Sequence, residues 1–559
     1  MPRRLRRSQV VAAGAALLAA PRALARTSAA PHAFDIAVRN SGGGYPGDRS
    51  RFATVSPGVK GRNSALVTFR LTGDARVTID VLRTDVRGAK AVETITRSLR
   101  AGAQEIVWTP RRATPIGSYV LRLTVEGNGG KRVYGGRRPS VPSLSRTAAV
   151  RLLGVEARFE HTSYANEEPM RLNLLADAKS LTVTFLRVGY GPDPPLRGDT
   201  MTGEPVGQPV VLDWRKKRGR PGRVDLQAGI DWPSGMYVAR VSTYDGRFGF
   251  APFVIRPRTP AANRVGVVMP TLTWQAYNFY DADGDGFGDT WYAGGGPVLR
   301  LDRPFRDRGV PPRFRRYDFP FLRWLEKRSF TADVLTEEDV ERLGADALRK
   351  DYDVLWYPGH TEYVTAREYE TIRGFRDLGG RLVFLSANNF FWRVDRAENT
   401  IRRVKLWREA GRPESSLLGV QYRGNDNGGK QGLYFVVARE LTPWLFAGTG
   451  LVNGSTFGAA VGGFGIEIDG VTKDSPPGTV VPAFVPSLLG PGLHGEMSYY
   501  ELDNGARVFS AGTLDFCTSV LSQPMFQMME NLWFHMLAPA STPEPPPAGT
   551  PAPGNTGGG

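Results

Sequence analysis

The chain has 559 residues, which is too long for one ordinary hydrophobic core, so we expect roughly two to four domains. Hydrophobic residues make up 41% of the sequence and aromatic residues 10%, which excludes a largely disordered protein. The single cysteine, Cys517, excludes an internal disulfide framework and any metal site built from several cysteines.

The formal net charge of +17 favours contact with anionic partners, such as a wall polymer or a charged surface. The basic residues are spread along the chain, and only the run WRKKRGRPGR at 214–223 is dense. We interpret that run as a solvated hairpin loop. Because no nucleic-acid motif surrounds it, we predict no nucleic-acid partner and retain an anionic wall or surface contact.

The first 25 residues have the pattern of a signal peptide. A basic start is followed by the apolar run 10–20 and by Ala23-Leu24-Ala25, an A-x-A cleavage site. Arg6-Arg7 points to twin-arginine export, although the general secretory route stays open. We therefore predict a secreted or extracytoplasmic protein.

Residues 34–258 alternate apolar and polar positions between glycine-containing turns, which predicts β-strands. The segment PIGSYVLRLTV at 115–125 is echoed by PSGMYVARVST at 233–243. This repeat predicts two Ig-like β-sandwich domains, at 34–145 and 150–258.

From residue 263 to 538, predicted strands alternate with helices, which indicates an α/β domain with a mostly parallel sheet. The predicted strands are 264–270, 352–357 and 381–385, and helices are expected at 319–330 and from the capping box at Thr365. Such a domain would resemble the glutamine amidotransferases. Ligands of these sheets bind beyond the carboxyl ends of the strands. The stretch 539–559 is a Pro/Gly-rich tail that we do not expect to fold.

The turn at 357–360, YPGH, carries neither the cysteine nor the serine that an acyl-enzyme mechanism needs at that place. Cys517 lies far along the chain, in a segment typical of a small core residue. Covalent acyl transfer is therefore disfavoured.

An acidic insertion, DADGDGFGD, occupies 281–289. Asp281, Asp283, Asp285 and Asp289 match positions 1, 3, 5 and 9 of a calcium loop, but position 12 is Tyr292 instead of a bidentate carboxylate. The insertion is either a calcium loop or a solvated acidic turn. In both cases we expect it to be structural.

Four motifs of the α/β region resemble the large (beta) subunit of N,N-dimethylformamidase, and they come in that family's order. They are TWQAYN (273–278), YDFPFLRWLE (317–326), PGHTEY (358–363) and SANNFFWRV (386–394). A β-sandwich region ahead of this domain is also consistent with the family.

The resemblance implies one iron ion bound by two tyrosines and one glutamate, here Tyr277, Tyr317 and Glu362. It also implies that His360 and Asn388 orient water and substrate. We take Glu496, in LHGEMSYYE, as the candidate base.

Two phenolates and a carboxylate form a hard anionic set, which suits a mononuclear ferric ion better than zinc or copper. The family works with a small partner subunit, so we expect such a subunit or a homo-oligomer, with a small amide as substrate. The sequence therefore predicts an exported iron-dependent amidohydrolase. The alternative is a non-catalytic surface protein that binds wall polymer or glycan and carries a degenerate enzyme-like domain.

Overall fold

A computed structural model describes residues 29–85, 91–138, 148–193, 200–260 and 264–539. The predicted signal peptide (1–25) and all but the first residue of the predicted tail lie outside the described residues. The described chain is multidomain and mostly β, with few helices. No helix among its described residues is both long and apolar enough to cross a membrane.

The described strands are β1 Ala33–Asn40, β2 Phe52–Val55, β3 Ala65–Leu71, β4 Ala75–Arg83, β5 Ala91–Leu99, β6 Gly102–Trp108, β7 Gly117–Gly127, β8 Gly130–Tyr134, β9 Ala148–Leu152, β10 Val155–Phe159, β11 Ser163–Tyr164, β12 Pro169–Ala176, β13 Ser180–Val188, β14 Gly203–Asp213, β15 Gly222–Gln227, β16 Gly235–Thr243, β17 Phe248–Ile255, β18 Val265–Met269, β19 Val298–Arg300, β20 Asp333–Thr336, β21 Val354–Tyr357, β22 Tyr363–Thr365, β23 Arg381–Phe384, β24 Trp392–Ala397, β25 Thr400–Leu406, β26 Gln421–Asn425, β27 Gln431–Gly432, β28 Tyr434–Val436, β29 Thr456–Phe457, β30 Phe464–Gly465, β31 Glu467–Gly470, β32 Ala483–Val485, β33 Gly495–Glu496, β34 Ser498–Glu501 and β35 Arg507–Ser510. The α-helices are α1 Thr271–Ala276, α2 Phe314–Tyr317, α3 Phe319–Lys327, α4 Glu337–Asp351, α5 Ala366–Asp377, α6 Ser415–Leu418 and α7 Met525–Leu537.

The N-terminal half forms two pairs of sheets, as expected for two β-sandwiches. The first pair has the orders β1-β3-β6 and β2-β9-β7-β4-β5, and the second has β10-β12-β15 and β11-β17-β16-β13-β14. Each pair encloses its own cluster of buried apolar side chains. Since β9 pairs with β2 and β7, residues 148–152 belong to the first unit, and we move our proposed division from 150 to 153–154.

The sequence echo has a structural counterpart in the strands β7 and β16. The Tyr119 hydroxyl donates to the carbonyl of Pro115 at 2.5 Å, and the Tyr237 hydroxyl donates to that of Pro233 at 2.8 Å. Both tyrosines are fully buried. The repeated Pro-x-x-x-Tyr spacing therefore fixes the same strand entry in both units.

The basic run 214–223 is not a hairpin loop. It links β14, which pairs with β13, to β15, which pairs with β12 in the facing sheet. Its first residue, Trp214, is buried in the core, so the run is a crossover between the two sheets.

The C-terminal region contains a six-stranded sheet in the order β20-β18-β21-β23-β35-β34. All neighbours are parallel except β34 and β35, which are antiparallel. The four central strands are buried along their length, which explains their mostly apolar sequences. The predicted strands are confirmed, and the likeness to glutamine amidotransferases stays a prediction.

Helices cover both faces of this sheet. Val267 of β18 lies in one cluster with Trp324 of α3 and Trp533 of α7. Val268, the next residue, lies in another cluster with Ile372 of α5 and the buried residues of α4. The amphipathic helix expected after residue 319 and the helix capped by Thr365 are both present.

Candidate active site

A cavity of about 530 Å³ lies beyond the carboxyl ends of the central strands. Helix α1 follows β18 directly, the loop 358–362 follows β21, and the loop 385–391 follows β23. Side chains that line the cavity include Tyr277, Tyr317, Asp318, His360 and Glu467. Three of the motifs that carry the family resemblance therefore meet at the cavity wall.

A second cavity, of about 310 Å³, lies between α1 and the second β-sandwich. It shares Trp274 with the first cavity but contacts none of the predicted catalytic or iron-binding residues. We place the candidate site in the larger cavity because the acid, base and phenol groups converge there.

Glu362 lies just behind the cavity wall and connects two of its residues. Its Oε2 accepts a hydrogen bond from the Tyr277 hydroxyl at 2.6 Å and lies 3.2 Å from Nε2 of His360. The side-chain oxygen of Thr273 accepts the backbone N–H groups of Glu362 and Tyr363, at 3.0 and 3.2 Å. Thr273 and Tyr277 both belong to TWQAYN. This motif therefore holds the backbone of PGHTEY through Thr273 and the Glu362 carboxylate through Tyr277.

Burial and neighbouring charges set the pKa values of Tyr277 and His360. Burial and the adjacent Glu362 carboxylate raise the pKa of Tyr277 well above its usual value. For His360, burial works to lower the pKa, but the hydrogen bond to Glu362 and the charge of Glu467 raise it to about 9. A neutral phenol and a charged imidazolium thus flank the Glu362 carboxylate.

Tyr317 ends α2 and faces the same cavity. It is 5% exposed, and its ring packs against Ala387 and Leu514. Burial raises the pKa of its hydroxyl to about 12. Within the described chain, that hydroxyl makes no hydrogen bond, which leaves its oxygen free for a ligand in the cavity.

Asn388 is buried and adopts a left-handed backbone conformation, with φ of 54°. Its backbone N–H donates to both carboxylate oxygens of Asp469, at 2.8 and 3.0 Å. Its side-chain oxygen has no partner among the described residues. The side chain of Asn388 acts to lower the pKa of the Glu467 carboxyl.

Glu467 is a site residue that the sequence did not indicate. Its Oε2 lies 3.9 Å from Nε2 of His360 and has no hydrogen bond among the described residues. Burial, partly offset by His360, raises its pKa to about 7. A carboxyl with a pKa near neutrality is suited to accept and return a proton.

Glu496, our sequence-based candidate base, does not line this cavity. Its Oε1 is paired with Arg423 at 2.8 Å, and its Oε2 accepts the backbone N–H of Val471 at 2.8 Å. Both oxygens are occupied by structural partners, and Glu467 takes its place as the candidate base.

Tyr292 is the second residue that the sequence did not assign to the site. Its hydroxyl lies 3.2 and 3.4 Å from the two carboxylate oxygens of Glu362 and 2.7 Å from the Tyr363 hydroxyl. Its ring stacks on that of Tyr277 with centroids 4.4 Å apart. The sequence signal that could have identified Tyr292 is its place at position 12 of the acidic insertion, where calcium loops carry glutamate.

The acidic insertion itself folds into a tight loop. Both oxygens of Asp281 accept backbone N–H groups, from Gly284 at 2.7 Å, Asp285 at 3.2 Å and Gly286 at 3.0 Å. Asp285 pairs with Arg138 at 3.0 Å. The loop thus supplies many of its own hydrogen bonds, and Arg138 offsets the charge of Asp285.

Among the described residues, Asp281, Asp283 and Asp285 are the one group of acidic, histidine or cysteine side chains whose ligand atoms all lie within 4.8 Å of one another. Asp289 turns away to accept the backbone N–H of Ala282 at 2.7 Å. The calcium assignment stays a prediction.

The cavity's donor set fits a ferric ion. Tyr277 and Glu362 offer oxygens 2.6 Å apart, and Tyr317 lines the same cavity as Tyr277. All three donors are hard oxygens that carry negative charge when bound to a cation. A bound ferric ion would counter the burial that now keeps both phenols protonated.

Comparison with known proteins identifies the family of the C-terminal region. Residues 213–526 match the family described as N,N-dimethylformamidase beta subunit-like, C-terminal. The matched region begins within the second β-sandwich and includes the whole candidate site.

Two curated relatives are N,N-dimethylformamidase beta subunits. The one from Paracoccus aminophilus is 23% identical over 318 residues, and the one from Alcaligenes sp is 22% identical over 318 residues. Each alignment covers 47% of this chain and 42% of the relative. This chain therefore matches less than half the length of these relatives.

Two solved structures align weakly with this chain. An Escherichia coli alpha-2-macroglobulin activated by porcine elastase aligns with 12% identity over 41% of this chain and 20% of its own, at a TM-score of 0.16. A red sea bream transglutaminase aligns with 9% identity over 35% of this chain and 29% of its own, at a TM-score of 0.17. These scores carry no argument about the fold.

Proposed function

The chain belongs to the N,N-dimethylformamidase beta subunit-like family, and from this membership we propose that it hydrolyses the C–N bond of a small amide at a mononuclear ferric centre. Family membership indicates an amidohydrolase-like function. One observation carries the more specific proposal. Tyr277, Tyr317, His360 and Glu467 come from four separate segments and line one cavity, and Glu362, from the same loop as His360, lies directly behind its wall.

Tyr277, Tyr317 and Glu362 would hold the ferric ion. When bound, such an ion supplies Lewis-acid polarisation of an amide carbonyl. The carboxylate of Glu362 is held in place for this role by the backbone contacts of Thr273 and by His360.

Glu467 is the proposed base. It takes a proton from the attacking water and returns it to the amine nitrogen as the C–N bond breaks. His360, 3.9 Å from Glu467, places a positive charge beside that carboxylate and stabilises its ionised form. We assign Asn388 the role of orienting water and substrate, and Trp274 forms part of the cavity wall.

The further features of the protein stay proposals. We propose export through the N-terminal segment, and either a partner subunit or a homo-oligomer, since the relatives are named as beta subunits. We extend the proposal to a glutamine-amidotransferase-like arrangement of the parallel sheet. A wall-binding protein with a degenerate site would not require this convergence of acid, base and phenol groups, so we rank that alternative second.

A matched pair of glutamate variants tests the proposal. Short N-alkyl formamides and acetamides are supplied to the iron-loaded protein, and release of the amine is measured. We expect Glu467→Gln to lower kcat by about 10²- to 10⁴-fold, as loss of a general base does. Glu496→Gln is the control and should retain kcat within about threefold, since its partners are structural.

Two results would contradict the proposal. One is wild-type protein that contains iron yet hydrolyses none of these amides. The other is an equal loss of kcat in Glu467→Gln and Glu496→Gln, when circular dichroism shows both variants to be folded.

A further inference from the structure

We propose that Tyr292 is a positioning residue for the Glu362 carboxylate, and that the first β-sandwich holds Tyr292 in place through the acidic loop. This inference rests on the proposed metal centre. It gives a role to the insertion and to the N-terminal domain, which the hydrolytic chemistry does not itself use.

The contacts of Tyr292 favour this role. Its hydroxyl is within 3.4 Å of both oxygens of Glu362, and its ring stacks on Tyr277 with an interplanar angle of 18°. It therefore contacts two of the three proposed metal ligands. The Tyr363 hydroxyl, 2.7 Å away, holds the Tyr292 hydroxyl from the other side.

The hydrogen bonds that Glu362 receives explain why the site needs Tyr292. Glu362 now receives hydrogen bonds from Tyr277 and Tyr292 and faces Nε2 of His360. Tyr277 and Glu362 would themselves hold the metal, whereas Tyr292 would stay behind them as the phenol that fixes the rotamer of Glu362, as residues behind metal ligands commonly do.

Tyr292 is 46% exposed, so its contacts with Tyr277, Glu362 and Tyr363 cover only part of the side chain. The turn that carries it is anchored at two points. The side chain of Thr290 accepts the Tyr292 backbone N–H at 3.3 Å and donates to the Ala276 carbonyl at 2.5 Å. The carbonyl of Ala293 accepts a hydrogen bond from Arg138 of the first β-sandwich at 2.9 Å.

The same β-sandwich also contacts the acidic loop that precedes Tyr292. Arg138, which anchors Ala293, also pairs with Asp285 at 3.0 Å, so one guanidinium joins the loop to the Tyr292 turn. Thr84 donates to the Gly286 carbonyl at 2.7 Å. Gly286 adopts φ of 91°, and a Cβ there would lie 2.7 Å from Val120, so the backbone of the loop rests directly on the sandwich.

The acidic loop is therefore a brace that ties the N-terminal domain to the metal centre. Its aspartates hold the backbone turn, and its last residues deliver Tyr292 to Glu362. A consequence is that changes in the first sandwich, outside the cavity, alter the affinity for iron.

The test measures ferric affinity and the visible spectrum of the full-length mature protein. Tyr292→Phe keeps the stacked ring and removes only the hydroxyl. We expect it to weaken ferric binding about 10- to 100-fold, the usual range for residues behind a metal ligand, and to shift the tyrosinate band. Tyr244→Phe, at a fully exposed tyrosine, is the matched control and should match the wild type.

Arg138→Ala tests the brace. We expect it to weaken ferric binding by a smaller factor than Tyr292→Phe, with the phenol still present. Thr84→Val is the milder variant if Arg138→Ala does not fold, and it should move ferric affinity in the same direction.

The outcomes separate this inference from the proposed function. Wild-type protein that binds no ferric ion would overturn the metal centre and this inference with it. Wild-type protein with a tyrosinate band and a Tyr292→Phe variant of unchanged affinity and spectrum would overturn only the role of Tyr292. Normal iron binding in folded Arg138→Ala and Thr84→Val would overturn the role of the first sandwich.

Discussion

Two oxygen-rich regions lie next to each other in this protein, and they use their oxygens differently. In the acidic loop, the carboxylates of Asp281 and Asp285 accept backbone N–H groups of the loop itself, and Arg138 pairs with Asp285. In the cavity, Glu362 and Glu467 come from distant segments, and Oε2 of Glu467 has no hydrogen bond among the described residues. In this protein, the aspartates that are close together in sequence stabilise their own loop. The glutamates that come together from distant segments are the ones we propose for chemistry.

The largest effect should come from replacing a proposed metal ligand in the cavity. Glu362→Gln removes a charged ligand while it preserves shape, so we expect iron content to fall to background with little loss of folding stability. Metal analysis and thermal unfolding measure the two properties on the same sample. Glu440→Gln, at a surface glutamate that binds Asn453, is the control. Full iron occupancy in Glu362→Gln would remove this residue from the metal centre.

A substitution in the acidic loop should have an intermediate effect, and it should lower folding stability first. Asp281 accepts three backbone N–H groups, and asparagine cannot accept all three in the same geometry. We expect Asp281→Asn to lower the free energy of unfolding by about 1–3 kcal/mol, the cost of unsatisfied buried groups. Denaturant unfolding measures this change. An unchanged free energy of unfolding in Asp281→Asn would contradict a structural role for this carboxylate.

The smallest effect should be that of calcium. Arg138 already pairs with Asp285, and Tyr292 takes the place of the bidentate carboxylate, so we expect 1 mM calcium (about a typical extracellular concentration) to leave the melting temperature nearly unchanged. Removing the guanidinium in Arg138→Met should increase the response. A clear calcium-dependent rise in the melting temperature of the wild type would instead establish a calcium loop.

The sequence was informative where the site residues lie in short motifs at strand ends. Tyr277, His360 and Glu362 follow buried apolar strands, and the carboxyl ends of parallel strands meet at one edge of a sheet. Their proximity is therefore a consequence of topology that the strand pattern already contains.

The remaining site residues could not be found in this way. Glu467 begins β31, a short strand in a glycine-rich region that has no regular periodicity. Glu496 lies in an equally short strand, β33, and only the pairing of β33 with β32 shows that it faces Arg423 instead of the cavity. Choosing between two such glutamates requires long-range pairing, which local sequence does not encode.

The β-sandwiches show the same limit. The repeated Tyr119 and Tyr237 predicted two similar units, but the boundary depended on β9, which completes the first unit by pairing with strands far away in the sequence. The basic run 214–223 was misassigned for a related reason. A crossover between sheets and a hairpin loop have similar composition, and only the buried Trp214 distinguishes them.

The most direct test of the account is the iron content and visible spectrum of the purified mature protein, compared with those of Tyr277→Phe. We predict about one ferric ion per chain and a purple-to-red charge-transfer band from tyrosinate coordination, reduced or shifted in the variant. Colourless protein that contains no iron and takes up none from added ferric salt would contradict the proposed metal centre.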